Sequence, residues 1–573
     1  MIRKCRNSTL LPDIRIGFVP SAIACTILMG FGASLLLAEE SLQLQPRPGD
    51  PLDGLTPVQL ERFEIGADLY ITPITAEAGL GPIFNKAACG SCHSTPLGGW
   101  GSISVNRFGL IDEKGKEGGF DPLVDLGGPV QQVSGLNESC LELIPAIANH
   151  QITRMTNSVL CFGLVEAIED ADLMANADPI DSNADGISGR YLMVEVLEDP
   201  KGPKRVGRFG WKTQLATVLS FSGDAANGEM GLTNRLVQEE QAPNGDQACL
   251  DEFDLVADPE DQLDSEGFGF IDRVTHFQRY LAPAPQTPKS GMTGETIFND
   301  IGCNACHVST FTTANDPSLE AVIRNKTFKP YGDFLLHDMG LLGDGHPQGQ
   351  AGELEMRTAV LMNLRNRDPM LHNGTAAGGL FCDRITAAIA AHGPFGEGAA
   401  SAAAYNALSS GDKALLCQFL DSLGRIEFDM EGDNDVDYFD FLQFIDCFVI
   451  KTTITPDDPC AICDIDQDGD VGMVDFNMFL QAFDGEIEDC NDNGDPDLLD
   501  ILMGVEVDED LNGVPDSCEA CVADINGDSV VNGRDLGALL GQWDSSGPAD
   551  LDQSGVVDGI DLGILLGQWG PCP

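Results

Sequence analysis

Gly294-Glu-Thr-Ile-Phe-Asn-Asp-Ile-Gly-Cys-Asn-Ala-Cys-His307 is the stretch on which the reading of this chain turns. It ends in Cys-x-x-Cys-His, with Cys303, Cys306 and His307. Two thiols three positions apart can each form a thioether to one porphyrin vinyl group. The adjacent histidine then falls on the iron as proximal ligand. The pattern occurs once more, in Gly81-Pro-Ile-Phe-Asn-Lys-Ala-Ala-Cys-Gly-Ser-Cys-His93, which supplies Cys89, Cys92 and His93. Ile83-Phe84-Asn85 precedes Cys89 at the spacing that Ile297-Phe298-Asn299 keeps before Cys303, so the two stretches read as copies of one unit. A lone motif of this kind also serves as half a zinc site or as a redox dithiol. A zinc site needs a second Cys or His pair nearby, and neither copy has one.

The chain has 573 residues, enough for several domains, and a net charge of -59. That charge argues against nucleic acid or an anionic membrane surface as partner, since both would repel it. From Glu427 to the end there are 37 Asp and Glu against Lys451 and Arg534. Such a segment is either disordered or neutralised by cations. At the other end, Arg3, Lys4 and Arg6 come first, and Arg15 leads into an apolar run from Ile16 to Ala38. Residues 1–38 read as an export signal cleaved after Leu36-Leu37-Ala38, with an uncleaved membrane anchor as the alternative. Cys25 within the run has Ala22 where a lipoprotein signal wants a larger aliphatic residue. Export places the mature protein in the periplasm, at the cell surface or outside the cell. Of the 18 cysteines, two lie in the signal and four in the motifs, so twelve remain for disulfides in an oxidising compartment.

Residues 39–55 form a Pro/Gly/Asp-rich linker. Thr56 to Ile71 predicts a helix, with Thr56 as cap and Pro57 at its first position. It opens a first haem domain over 56–285. Residues 98–140 are Gly-rich and predict irregular structure, and Val159 to Ala175 predicts helix. Asp181-Ser-Asn183-Ala-Asp185-Gly-Ile-Ser188 has the shape of a calcium loop and equally of a polar turn. Ile271 to Leu281 is helical, and a second haem domain covers 286–426. It closes with an amphipathic helix from Ser409 to Leu423, with Gly424 as its C-terminal stop.

The acidic tail divides into 427–485, 486–520 and 521–573. Four twelve-residue windows place oxygen ligands at positions 1, 3, 5 and 12. Their ligands are Asp429, Asp433 and Asp440; Asp464, Asp466, Asp468 and Asp475; Asp524, Asn526, Asp528 and Asp535; and Asp550, Asp552, Ser554 and Asp561. An apolar helix such as Leu536 to Leu540 follows each. This is the spacing of an EF-hand-type calcium loop, with Asp instead of Glu at position 12 and no clear entering helix. Two related windows in 486–520 carry Pro at the eighth position.

From about Leu80 to Leu423 the chain resembles the di-haem oxidoreductase/peroxidase family. That family is related to bacterial di-haem cytochrome c peroxidases and to the di-haem enzyme that matures tryptophan tryptophylquinone. Both haem motifs carry the resemblance, with Phe162 to Ile168, Asp181 to Gly189, Gly207 to Lys212, Leu335 to Gly340, Leu371-His372-Asn373-Gly374 and Ala391-His392-Gly393. The four acidic windows resemble type I dockerin modules. The resemblance implies a mainly α fold: two cytochrome c-like haem domains followed by small EF-hand-like, dockerin-type calcium modules. It implies two covalently bound haem c groups and calcium as cofactors. One haem is high-spin and meets peroxide; the other is six-coordinate and relays electrons. Leu371 to Gly374 matches the motif that precedes the relaying haem's sixth ligand, and His392 falls at the ligand place, where relatives carry Met or Tyr. Met339 competes for that role or is an ordinary core Met.

Glu166 reads as a proton shuttle for peroxide, or as a surface Glu at a helix turn. Trp211 reads as an electron relay between the haems, or as packed core. His337 and His372 read as contacts around a haem, either behind an iron ligand or to a propionate. Between the two motifs the only histidines are His150 and His276, so the first iron is the one expected to keep an open position. These readings converge on an exported di-haem c-type oxidoreductase that reduces peroxide at the first haem. Its electrons come from a small redox donor protein or a quinol-linked carrier, and its substrate is hydrogen peroxide or another small molecule. The other reading is a non-catalytic electron carrier, docked through the tail to a cohesin-like or cell-wall partner.

Overall fold

A computed structural model describes residues 42–111, 119–393, 395–450, 453–491, 493–509, 511–518, 521–552 and 554–572. The export segment read over 1–38 lies outside them. The fold is mixed instead of mainly α: among the described residues, fifteen α-helices stand with small antiparallel sheets of two or three strands. No helix among the described residues is long and apolar enough to cross a membrane.

One helical frame occurs twice. The helix Pro57–Ile71 starts as its sequence predicts: the Thr56 side chain accepts from Gln59 N at 3.3 Å, and the Gln59 side chain accepts from Thr56 N at 2.9 Å. It packs across the helix Phe270–Tyr280, with Phe63 and Tyr70 against Phe277 at centroid distances of 5.2 and 4.8 Å. The crossing is at Gly66, where an added Cβ would lie 2.4 Å from Arg273 O. In the second frame the helix Thr293–Asp300 packs on the helix Ser410–Ser422. There the crossing is at Gly294, whose Cβ would lie 2.1 Å from Leu415 O, and Phe298 meets Phe419 at 5.5 Å.

The structural repeat differs from the repeat in the sequence. Ile297, Phe298 and Asn299 lie inside the helix Thr293–Asp300, whereas Ile83–Phe84 is a two-residue strand paired with Ser134–Gly135. Pro82 explains the difference, because it has no N–H to give a helix and its ring clashes with the preceding turn. The counterpart of Thr293–Asp300 is therefore Pro57–Ile71.

Residues 98–140 are more ordered than their glycines predict. Ser104–Ile111 pairs with His150–Met155, from Ser104 opposite Met155 to Gly109 opposite His150, and its end pairs with Phe120–Asp121. Opposed residues share a face of the sheet, so Val105, Arg107 and Arg154 stand together. The helix expected over Val159 to Ala175 is two short ones, Phe162–Glu166 and Asp170–Ala175. The break lies where the buried Arg208 guanidinium takes the carbonyls of Val165, Glu166 and Ile168. Asp181 to Ser188 is an exposed turn in which the Asp181 carboxylate accepts Gly186 N at 3.2 Å.

The largest core joins Phe63, Val274 and Phe277 from the first half to Phe311, Phe334 and Met362 from the second. Burying such side chains contributes about 1.5–3 kcal/mol each. Ten of the twelve expected cysteines pair, as Cys140–Cys249, Cys382–Cys417, Cys447–Cys460, Cys490–Cys518 and Cys521–Cys572. Cys161 and Cys463 stay as buried thiols. The tail has two cores of its own, one around Phe441, Phe444 and Phe479 and one around Val531, Leu539 and Leu565.

Candidate functional site

Both Cys-x-x-Cys-His stretches fold into the same tight turn. Cys92 N and His93 N donate to Cys89 O at 3.0 Å, and His307 N donates to Cys303 O at 2.9 Å. The four cysteines are free thiols, and each motif lines a cavity. Desolvation pushes Cys89 and Cys303 up to about 12 and Cys92 to about 11. It holds His93 and His307 down to about 4, so both imidazoles are neutral at physiological pH, the state that binds a metal.

The second cavity, of 190 Å³, is lined by Cys303, Cys306, His307, Met339 and His392. His307 Nδ1 lies 3.0 Å from Tyr331 O and His392 Nδ1 lies 2.8 Å from Ala388 O. A carbonyl at Nδ1 fixes the proton there and leaves Nε2 as a lone-pair donor, the posture of a metal-ligating imidazole. Both sequence candidates for a sixth ligand, His392 and Met339, therefore face the same cavity as His307. His337 also lines it, held between Glu397 at 2.7 Å on Nδ1 and Asp333 at 2.9 Å on Nε2. Burial opposes its charge, yet these partners raise it to about 12, so it is an imidazolium.

The first cavity is larger, 780 Å³, within the usual range for a ligand site. His93 shares it with Arg107, Arg154, Lys212, Glu229 and His346. Trp211 borders both cavities. It is buried, its Nε1 donates to Met155 O at 2.8 Å, and its ring meets His372 edge-on at 6.0 Å.

Glu166, the carboxylate read as a proton shuttle, does not line the first cavity. Its Oε1 is paired with Arg279 at 2.7 Å and its Oε2 accepts Val218 N at 2.6 Å. Both oxygens brace the packing of three segments. Two carboxylates do face the first cavity, Asp224 and Glu229, both on the helix Val218–Met230, and Glu229 stands at its end. Glu229 Oε2 accepts from Asn85 Nδ2 at 2.7 Å. Desolvation and the Asp224 carboxylate raise Glu229 to about 7, with Asn85 and Arg107 pulling the other way. The signal for it in the sequence was the one applied to Glu166: an acid on a helix of small and apolar residues.

His346 was missed as well, because it follows the second motif in the chain yet lines the first cavity. It is 1% exposed, stacks on His150 at 5.5 Å, and its Nδ1 has no hydrogen-bond partner. Burial, with Arg107 and Arg154, lowers it to about 3. His276, the other histidine between the motifs, packs on Phe268 and Tyr280.

The four tail windows share one geometry. The position-12 carboxylates Asp440, Asp475, Asp535 and Asp561 are all buried. One oxygen of each accepts an early loop N–H: Met430 at 2.7 Å, Ile465 at 2.8 Å, Asn526 at 3.1 Å and Leu551 at 2.6 Å. The other caps the following helix, from Asp437, Gly472, Asn532 and Asp558. At position 1, Asp464 Oδ1 and Asp550 Oδ1 are buried with no partner, and Asp429 Oδ2 accepts no hydrogen bond but has Arg365 Nη2 at 3.9 Å. Asp464, Asp466 and Asp475 bring ligand oxygens within 4.8 Å of one another. Burial and then Asp475 raise Asp464 to about 6. Orphaned carboxylate oxygens in an oxygen-only donor set fit a hard cation.

A family model described as "Di-haem oxidoreductase, putative peroxidase" matches residues 149–423. The chain is a haem-dependent oxidoreductase. The matched span holds the second motif, Trp211, Glu229, His346 and His392, and it begins after the first motif. No curated protein matches the oxidoreductase. Two solved structures are similar at low identity. One is a MauG-like protein associated with microbial copper homeostasis, at 14% identity, over 66% of this chain and 93% of that chain, with a TM-score of 0.29. The other is a Kuenenia stuttgartiensis hydrazine synthase, at 12% identity, over 70% of this chain and 99% of that chain, with a TM-score of 0.24. At TM-scores this low neither overlay bears on the oxidoreductase's site.

Proposed function

We propose that the protein is an exported di-haem c-type oxidoreductase that reduces hydrogen peroxide or a similarly small substrate in the first cavity. Electrons reach that cavity from the second, delivered by a small redox protein or a quinol-linked carrier. The observation that carries this reading is Trp211, whose ring borders both cavities. Bound through Cys89, Cys92, Cys303 and Cys306, the haems supply the one-electron chemistry. His93 and His307 would each ligate an iron. In the second cavity His392, with Met339 in reserve, would be a further ligand to the iron, and a ligand set that need not change suits relay. In the first cavity Glu229 holds or releases a proton near neutral pH, the property wanted of a group that moves a proton between substrate oxygens. Calcium in the tail loops would neutralise the carboxylates and leave the tail free to dock to a cohesin-like or cell-wall partner.

One observation favours a second reading, the carrier with no open site. His346 presents an unpartnered, neutral imidazole in the first cavity. On the iron it would make both centres six-coordinate. An optical and EPR titration through both reduction steps, with peroxide added at each, separates the two. The enzyme reading expects a high-spin signal in the resting or half-reduced protein that peroxide consumes. A protein low-spin at both irons in every redox state is the carrier.

A further inference from the structure

The protein groups at the second cavity leave it with more positive than negative charge: Arg357, Arg367 and the His337 imidazolium stand against Asp333 and Glu397. Arg357 and Arg367 both line it and are 8% and 3% exposed. Their hydrogen bonds go to backbone carbonyls. Arg357 Nε donates to Gly210 O at 2.7 Å and its Nη1 to Thr358 O at 2.8 Å. Arg367 donates to Leu371 O at 3.1 Å and to Pro369 O at 3.4 Å. Among the described residues neither is in an ion pair, and the nearby acids Asp333 and Glu397 are both engaged by His337. A guanidinium has five N–H donors in a planar fork, so each side chain keeps donors in hand.

Burial lowers Arg357 to about 10, with Asp333 pulling the other way, and burial and then Arg357 lower Arg367 to about 9, so both stay cationic at neutral pH. Two like charges in one buried site are costly unless anions join them. Both arginines stand on the side of the cavity nearest Trp211. Arg357 N donates to Trp211 O at 2.9 Å. The Arg367 guanidinium lies 3.5 Å from the centroid of Trp100 and 5.6 Å from that of Trp211.

We propose that Arg357 and Arg367 receive two carboxylates, and that these are the propionates of the haem in the second cavity. A haem carries both propionates on one edge, which matches two guanidinia on one wall, and Arg is the side chain whose fork fits a carboxylate. The propionate edge of that haem then faces Trp211 and the first cavity. This rests on the reading of the second cavity as a haem site.

The test uses the full-length holoprotein with Arg357→Met, Arg367→Met, Arg357→Lys and Arg367→Lys. Loss of a cation beside a propionate favours the ferric state. Each Met variant is expected to shift the second haem's reduction equilibrium toward ferric by about tenfold, which is 59 mV for a one-electron couple. Each Lys variant recovers part of the shift. Resonance Raman bands of propionate bending move in all four, while the low-spin ligation spectrum is kept. The first haem's potential is the internal reference. If a Met variant fails to mature, the Lys pair and the Raman bands decide. Unmoved bands and potentials in a protein whose Cys303–Cys306 peptide carries haem overturn this inference alone. A peptide without haem overturns the reading of the cavity itself. If added succinate shifts the wild-type spectrum and not that of Arg367→Met, the arginines serve a free dicarboxylate and the propionate assignment falls.

Discussion

Arg279 Nη1 donates to Glu166 Oε1 at 2.7 Å, and its Nη2 holds Glu320 at 2.8 Å. With Val218 N on the other oxygen, Glu166 is fully occupied in holding the helices together. Glu166→Gln should therefore lower unfolding free energy by about 1–3 kcal/mol in a denaturant titration and leave peroxide turnover near wild type. Glu229→Gln should do the reverse, costing about a hundredfold in turnover with little change in stability. If Glu166→Gln abolishes turnover in a folded protein, the roles assigned to the two carboxylates are exchanged.

The pH dependence follows from Glu229. Its ordinary value is 4.5, and desolvation raises it to about 7 in the folded chain. The folded state thus holds this proton more tightly than the unfolded state. The stability it contributes is complete below the unfolded value and is lost as pH rises to about 7. Above about 7 the carboxylate is free to accept a proton. The rate of cyanide binding at the first haem should rise through that pH, and Glu229→Gln should flatten the profile.

Trp211→Phe keeps an aromatic ring between the cavities and removes the hydrogen bond to Met155 O. Rapid-mixing spectroscopy should show the second haem reduced at the wild-type rate and the first haem reduced more slowly. Equal rates at the first haem would take the relay away from Trp211.

His392→Gly should turn the second haem high-spin in EPR, while cyanide still binds the first. Added imidazole should restore the low-spin signal, because the Nε2 lone pair is what the ring contributes. A low-spin spectrum that survives the substitution points to Met339, which lines the same cavity.

Chelation should loosen the tail. Three position-1 oxygens have no hydrogen-bond partner, and the carboxylates around them repel one another until a hard cation enters. Removing calcium should open the chain after Glu427 to proteolysis, and restoring it should raise the melting temperature by mass action. Unchanged protease resistance after chelation would mean that the loops hold no calcium.

What could be read from the sequence was chemistry carried by neighbouring residues. The two Cys-x-x-Cys-His turns, the Thr56 cap and the tail windows all complete themselves within about a dozen positions. Contacts made over long separations could not be read. Glu229 enters the first cavity beside Arg107, whose place depends on pairing with a strand some forty residues later. His346 reaches the first cavity from beyond the second motif, so a count of histidines between the motifs missed it. Glu166 met the same local criteria as Glu229, and only the position of Arg279 separates a brace from a cavity acid. The pairing of the cysteines was equally out of reach, since Cys140 finds Cys249 across 109 positions.

The glycine crossings at Gly66 and Gly294 make each haem frame a clasp whose two arms come from distant parts of the chain. The arms grip through close backbone contact at the two glycines. The chain should therefore survive being cut. A break in the exposed turn at 262–267 leaves one fragment with Gly66 and the other with Phe277. Such a pair keeps both sides of the Gly66 contact, so the two pieces, each carrying one motif, are expected to co-purify when made together.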